Sequence, residues 1–305
     1  MPNAKIAIIV LNWNTYQLTF RCLQQLARID YHPYEIILVD NASQDGSGPR
    51  LAADFPQCRY VQNSTNLGFT GGNNQALAAL QGQADYLMLL NSDTEVSPDF
   101  LAPLLARLEA DPTLAAVQPL ILEQGKRKRI WNAGGDFHAM FGLPLTRHKG
   151  RKPEQVQIAP FTDWITGCCI LVRSTILEEI GPLDDAFFAY FEDVDWSLRM
   201  RAQGHRLGVV PESIIYHHAA GSAKQNHDRT EGSLPAFSHY LNIRNHLYLL
   251  RKHPGWINRP GAWAYQLLKW TGYTLYFLLR GRFRKLRMVW KGLVDGLRAQ
   301  EPSTD

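Results

Sequence analysis

The sequence predicts an α/β fold: a doubly wound, mostly parallel sheet followed by a C-terminal helical extension. Two observations carry this. Short, continuous apolar runs rich in β-branched residues alternate with helical patterns, the spacing expected of parallel strands buried on both faces. The charge also shifts along the chain: residues 1–250 hold 21 Lys/Arg against 25 Asp/Glu, and residues 251–305 hold 11 against 3. The two parts therefore meet different surroundings.

The first strand is Lys5–Leu11, followed by a helical pattern around Leu18–Ala27. Glu35–Asp40 is a second buried strand and Arg59–Val61 a short third. Gly71–Gln81 reads as a helix ending near Gly82, and Asp85–Leu90 as a fourth strand. Pro98–Ala110 is a helix that Ser97 or Asp99 could cap. The stretch 120–160 is rich in Gly, Arg and Lys and reads as a hairpin with mobile loops; its charge runs suit a solvated face or phosphate contact equally. Thr162–Val172 reads as one strand, and Arg206–Val210 and Ile214–Tyr216 as two short ones. The cysteines Cys22, Cys58, Cys168 and Cys169 form no CxxC pair or zinc spacing, so they are expected as buried thiols in a reducing cytosol. No signal peptide is expected, since Met1-Pro2-Asn3-Ala4 leads straight into the first strand.

In such sheets, ligands bind beyond the carboxyl ends of the strands. Three strand ends are polar there: Asn12-Trp13-Asn14, Asp40-Asn41-Ala42-Ser43 and Asn91-Ser92-Asp93. Their coincidence points to a ligand cleft. The Asn66–Asn74 stretch holds three glycines before a helix, whose N-terminus would offer free N–H groups to an anion. It matches neither a Walker A loop nor the GxGxxG pattern, which argues against ATP hydrolysis and NAD chemistry. Glu192, Asp193 and Asp195 lie within four residues beside five aromatics. Phe187, Phe191, Val194 and Leu198 have helical spacing. Capping by carboxylates at a helix start explains the acids as well as a general base of raised pKa does. His217 and His218 end a strand, where imidazoles are usually structural but can ligate a divalent metal.

Taken together, VLNWN (10–14), VDNASQDGS (39–47), NLGFTGGNN (66–74), LLNSD (89–93), WITGCCILVR (164–173), the 180–204 stretch and the histidine pair resemble the family 2 glycosyltransferases of GT-A fold, most closely the rhamnosyltransferase-like branch. The resemblance spans roughly residues 5–222. It implies a GT-A catalytic domain over 1–230 and an inverting, metal-dependent transfer of a sugar from a nucleotide-sugar donor to a hydroxyl of a glycan or lipid-linked saccharide. The first donor expected is dTDP-L-rhamnose, with a UDP-sugar next. Asp40 matches the acid that reads the nucleoside, with Asn12 in the same pocket, and Asn66 and Gly68 the loop beside the nucleotide. Asn91 and Asp93 match the DxD motif, Asp93 being the metal-binding acid. Asn91 stands where that motif starts with Asp, which makes the metal lean more on Asp93, on His217 and on the diphosphate. His218 is the less suited histidine. Asp193, in the Glu192-Asp193 pair, matches the general base, and Trp164 and Gly167 the wall where sugar and acceptor meet. The metal implied is a hard cation, Mg²⁺ or Mn²⁺.

A nucleotidyltransferase would carry a Gly-rich loop with a basic residue after the first strand, where this chain has Asn12-Trp13-Asn14-Thr15. A non-catalytic glycan- or nucleotide-binding scaffold would be favoured by loss of Asp93 or Asp193, and both are present.

The extension over 231–305 is basic and aromatic. Its longest charge-free run, Trp270–Leu279, is about half of the ~20 residues a span needs. Arg280–Lys291 then holds six cations and no acid. Aromatics interleaved with Arg and Lys suit an interfacial helix on an anionic membrane, which implies a cytoplasmic enzyme peripheral on the inner face of the cell membrane. The alternative is a helical pair packed on the catalytic domain or on a second copy in a homodimer. No nucleic-acid motif is present, so no nucleic-acid partner is expected.

Overall fold

The computed structural model describes residues 4–218 and 234–298. These divide into two compact units: 4–136, 146–188 and 192–218 form the first, and 137–145, 189–191 and 234–298 the second.

The first unit is built on a ten-stranded mixed sheet. Strands β1 (Ile6–Asn12), β2 (Tyr34–Asp40), β3 (Arg59–Gln62) and β4 (Tyr86–Asn91) lie parallel in the order β3-β2-β1-β4. Beyond β4, β11 (Cys169–Arg173) runs antiparallel to β4 and to β6 (Leu114–Glu123). The sheet continues through β12 (Arg206–His217), parallel to β6, to the edge strand β10 (Phe161–Thr162). β5 (Thr94–Val96) pairs with the end of β12, and β7 (Lys126–Asn132) with β6. A separate ribbon joins β8 (Gly135–His138) and β9 (Leu143–Thr146).

The alternation of side chains along a strand explains why the central runs are apolar throughout. Ile6, Ile8 and Val10 pack on one face, among residues of α1 (Tyr16–Leu26), α2 (Ser47–Asp54) and α4 (Leu101–Ala110). Ala7 and Ile9 pack on the other, with α3 (Gly68–Ala79), α5 (Ser174–Ile180) and α6 (Glu192–Ala202). Both faces are covered by helices, so the sheet is doubly wound. Its polar strand ends share one rim.

Several elements differ from expectation. The 162–172 run is not one strand: after β10 the chain leaves the sheet and re-enters only at Cys169. β12 is one continuous strand, whose register shifts between Val210 and Ile214 to accommodate Pro211-Glu212-Ser213. α4 starts at Leu101 without a side-chain cap, because the Ser97 hydroxyl donates to Asp99 Oδ1 (2.7 Å). The helical stripe over Phe187–Leu198 is broken: Phe188, Tyr190 and Phe191 all have positive φ, and α6 begins only at Glu192. All four cysteines are buried and reduced.

The second unit consists of α7 (Ala236–Lys252), α8 (Arg259–Leu279) and α9 (Phe283–Arg298) around Ile243, Leu247, Phe277 and Val289. Gly292 and Gly296, one turn apart on α9, let it press against α7: a Cβ on Gly292 would lie 2.6 Å from the Tyr240 carbonyl oxygen. Asn245 donates to the carbonyls of Ala189 and Tyr190 (2.7 and 2.9 Å), which holds the left-handed turn that stacks Phe191 on His246.

The buried side of α8 carries Gln266, and Lys269 reaches His246 Nδ1 at 3.1 Å beside Gln266 Nε2 at 3.0 Å. His246 Nε2 donates to the Gly142 carbonyl (2.8 Å), so Nδ1 is the acceptor. Burial, then the Lys269 charge, lowers the imidazole pKa to about 3, and burial brings Lys269 down to about 8. Meanwhile Leu267, Leu268, Leu275, Leu278 and Leu279 face outward, the last 87% exposed. No helix among the described residues is long and apolar enough to cross a membrane.

Candidate active site

The rim is organised by amides at the ends of β1 and β2. Asn12 Nδ2 faces Asp40 Oδ1 (2.7 Å), Ser47 Oγ (2.8 Å) and Ser43 Oγ (3.0 Å), and its Oδ1 accepts from the hydroxyls of Thr15 and Thr19. Asp40 Oδ2 accepts from Ser43 N (3.0 Å) and Gln62 Nε2 (2.8 Å). Asn12 and Asp40 are both fully buried. They fix the 40–47 loop, and Asp40 has both oxygens engaged by the chain itself.

Asn41, in one of the polar strand ends, is a hub. Its Nδ2 donates to Asn66 Oδ1 and the Gly68 carbonyl (both 2.9 Å), while its Oδ1 accepts from Asn63 Nδ2 (3.1 Å) and Leu67 N (3.0 Å). Asn66 also accepts from Gly68 N (2.9 Å). Gly68 sits at φ +72°, and a Cβ there would lie 2.4 Å from the Phe188 carbonyl oxygen. The expectation of free N–H groups at the start of α3 is corrected here: Phe69 N and Thr70 N donate to the Phe188 carbonyl (2.6 and 3.2 Å). The glycines serve close packing of this loop on the 188 turn.

Asp93 and His217 are 124 residues apart, yet His217 Nε2 lies 3.0 Å from Asp93 Oδ1. The pairing of β5 with the end of β12 brings them together, with Thr94 opposite His217. The imidazole stands edge-on to Trp131 (4.3 Å). His218 faces Glu95 instead (3.3 Å). Asn91 points its backbone inward: its N donates to the Cys168 carbonyl (2.9 Å), and its carbonyl accepts from the Thr94 hydroxyl (2.7 Å). Among the described residues no three His, Cys, Asp or Glu side chains converge on one point.

Glu192 and Asp193 open α6. Gly167 N donates to Asp193 Oδ2 (2.9 Å) and Val194 N to Oδ1 (2.8 Å). Burial raises the pKa of both acids. For Glu192 the Asp193 charge adds to burial, and the rise is large; for Asp193 the Gly167 and Val194 N–H bonds oppose it. A buried pair of acids does not ionise together, and the hydrogen-bonded member ionises first. Burial and the neighbouring charge thus weigh most on Glu192, whose Oε2 is buried without a partner, while Asp193 keeps its two backbone donors. Asp195 is buried in an ion pair with Arg199 (2.9 Å), and its charge adds a smaller push to the raised Glu192 pKa.

The 163–168 loop ties the site together. A Cβ on Gly167 would lie 3.2 Å from the Phe69 ring and 3.5 Å from Glu192 Oε1. Gly167 thus sits between the Gly68 loop and the acid pair, while Cys168 next to it holds the end of β4. Asp93 and Asp193 both act on the Cys168 thiol, which burial pushes well up. Trp164 lies flat on Gly135 and is 7% exposed, with its indole N–H buried and unpartnered.

Residues 7–181 match the model of glycosyl transferase family 2, more than half of the chain. An N-acetylglucosaminyl-diphospho-decaprenol L-rhamnosyltransferase of Mycobacterium tuberculosis is 27% identical over 88% of this chain and 92% of its own. The rhamnosyltransferase WbbL of Escherichia coli is 25% identical over 81% and 93%. Among solved structures, GalNAc-T7 with UDP, GalNAc and Mn²⁺ superposes with a TM-score of 0.63 at 17% identity, over 82% of this chain and about half (48%) of that one. The mixed sheet, doubly covered by helices, is the GT-A fold. The protein belongs to glycosyl transferase family 2.

Proposed function

We propose that the protein transfers a hexose, with L-rhamnose from dTDP-L-rhamnose as the first candidate, to a hydroxyl of a lipid-linked saccharide in cell-surface polysaccharide synthesis, inverting the anomeric carbon. The observation that carries this is the acid pair at the mouth of α6, with Asp193 oriented by Gly167 N at 2.9 Å. A sugar hydroxyl holds its proton tightly and needs a base as it attacks. Asp193, anionic and fixed by two backbone donors, accepts that proton. Glu192 keeps its own proton and adds no second charge. Gly167 and Trp164 wall the place where hydroxyl and sugar meet. Asn41 and Asn66 set the loop that flanks the nucleotide, and Asn12 and Asp40 fix the 40–47 turn on its other side.

One carboxylate oxygen and one imidazole nitrogen, of Asp93 and His217, suit a divalent ion that takes its remaining ligands from diphosphate and water. When bound, such an ion, Mg²⁺ or Mn²⁺, stabilises the charge growing on the leaving diphosphate. The rhamnosyl donor is supported by the two relatives' names; a UDP-sugar is the runner-up.

We assign the C-terminal unit (231–305 in sequence terms) to an anionic membrane surface, which makes the enzyme peripheral. The outward leucines of α8 support this, as does the exposed side of α9, where Phe283, Trp290 and Leu297 alternate with Arg284, Arg287 and Lys291.

Asp193→Asn tests the base: it keeps nucleotide binding and loses at least ~10²-fold in turnover, the usual scale of general-base catalysis. Retained turnover would remove Asp193 from that role.

A further inference from the structure

The turn over Ala189–Phe191 is held by α7 and leads straight into the acid pair. Its backbone is strained: Tyr190 and Phe191 both stand at φ +71°, in the left-handed region that bulky side chains avoid. Such a conformation persists only where the surrounding groups over-determine it. Two neighbouring residues of α7 do so. Asn245 is fully buried, and its Nδ2 donates one proton to the Ala189 carbonyl (2.7 Å) and the other to the Tyr190 carbonyl (2.9 Å). The amide is oriented from its other end, where Oδ1 accepts from Arg244 Nε (2.8 Å). His246, also fully buried, stacks on the Phe191 ring at 5.0 Å with 20° between the planes. Its own ring is fixed by Nε2, which donates to the Gly142 carbonyl. All of these contacts lie within the second unit.

The next residue in the chain is Glu192, and Asp193 follows. No residue intervenes between the held turn and α6, so the peptide that leaves Phe191 sets where α6 begins. We propose that Asn245 is a positioning residue for the Glu192–Asp193 pair, acting through the 189–191 turn, with His246 as the platform for Phe191. Without the two Asn245 bonds, Tyr190 and Phe191 relax to negative φ. That rotates the peptides entering α6 and turns the carboxylates away from Gly167 N and out of their burial. The residue type is specific. Aspartate at 245 would set an acceptor against two carbonyl oxygens, and leucine would leave both carbonyls without their donor. The catalytic consequence rests on Asp193 serving as the base; the positioning itself does not.

The test uses the full chain with ¹³C-labelled Glu and Asp carboxyls, followed by NMR through a pH titration. The Glu192 signal is assigned by its loss in Glu192→Gln. Burial raises the Glu192 pKa, and the charges acting on it are those of Asp193 and Asp195, which the other variants leave in place. In the wild type its midpoint is expected above the ordinary glutamate range. In Asn245→Ala the midpoint falls by about 1 pH unit, as the carboxyl leaves its buried place and gains water. Asn242→Ala removes an amide of the same helix, one that donates to the Ser238 carbonyl, and leaves the midpoint where it was. Should Asn245→Ala fail to fold, Asn245→Ser keeps one donor and carries the same direction. The titration needs no turnover, so loss of the base reading through an active Asp193→Asn would leave this result standing. A Glu192 midpoint that does not fall in Asn245→Ala, or that falls equally in Asn242→Ala, overturns the proposal whatever Asp193→Asn shows.

Discussion

The two units treat charge in opposite ways. In the first, acids are drawn inward at the rim of the sheet, each given backbone or amide donors: Asp40 takes Asn12, Ser43 and Gln62, and Asp193 takes Gly167 and Val194. Leucines there sit in the two layers under the helices. In the C-terminal unit the leucines of α8 face outward, and Lys269 and Gln266 turn inward to His246. The difference teaches how each region places its charge: the first unit arranges donors around carboxylates, and the second offers apolar surface bordered by cations.

Gly68→Ala breaks the first side of this comparison most strongly. A left-handed non-glycine residue costs about 1–2 kcal/mol, and the new Cβ strikes the Phe188 carbonyl. The expected result is a loss of about 2 kcal/mol or more in urea unfolding, together with weaker nucleotide binding as the Asn41–Asn66 hub shifts. Unchanged stability would mean that the 188 turn yields easily.

Leu267→Gln/Leu268→Gln sharpens the second side. Both residues are 63% exposed or more, so the melting temperature should hold within a degree or two. Vesicle binding, read by flotation with phosphatidylglycerol liposomes, should fall by roughly ten-fold for two leucines partly withdrawn from lipid. Equal flotation of variant and wild type would take α8 away from the membrane.

The smallest effect is confined in pH. Glu192 binds its proton more tightly in the folded protein than in the unfolded chain, because burial, then the Asp193 charge, raises its pKa. Its contribution to stability is therefore complete below the ordinary glutamate range and is lost as pH rises through the raised value. Glu192→Gln has no proton to lose. Relative to wild type, its melting temperature should climb as pH rises; a difference independent of pH would show that Glu192 does not hold its proton.

Much of this was legible because burial on both faces leaves a simple trace: β1, β2 and β4 are unbroken apolar runs ending in polar residues. The failures have physical causes. Residues 162–172 look like one strand since nothing in Trp164-Ile165-Thr166 marks an exit, and the chain leaves the sheet because Gly167 N must reach Asp193. Arg206–Val210 and Ile214–Tyr216 read as two strands because the register shift that carries β12 past Pro211-Glu212-Ser213 leaves no local pattern. Asn41 reads only as one residue of a polar strand end until its four partners are seen. No local pattern couples Asp93 to His217, since the β5–β12 pairing that joins them is a long-range event. The family resemblance named both residues, and the fold supplies the reason they meet. α8 was half visible: its aromatics and leucines could be read, but the burial of Lys269 could not.

The measurement closest to the central claim is a calorimetric titration of dTDP, UDP and GDP into the full-length protein and into His217→Ala, with and without Mn²⁺. A rhamnosyl-type transferase with its metal on Asp93 and His217 predicts dTDP binding that is strengthened by Mn²⁺ in the wild type and loses most of that gain in His217→Ala. Binding of none of the three nucleotides, or a gain from Mn²⁺ that survives His217→Ala undiminished, would contradict it.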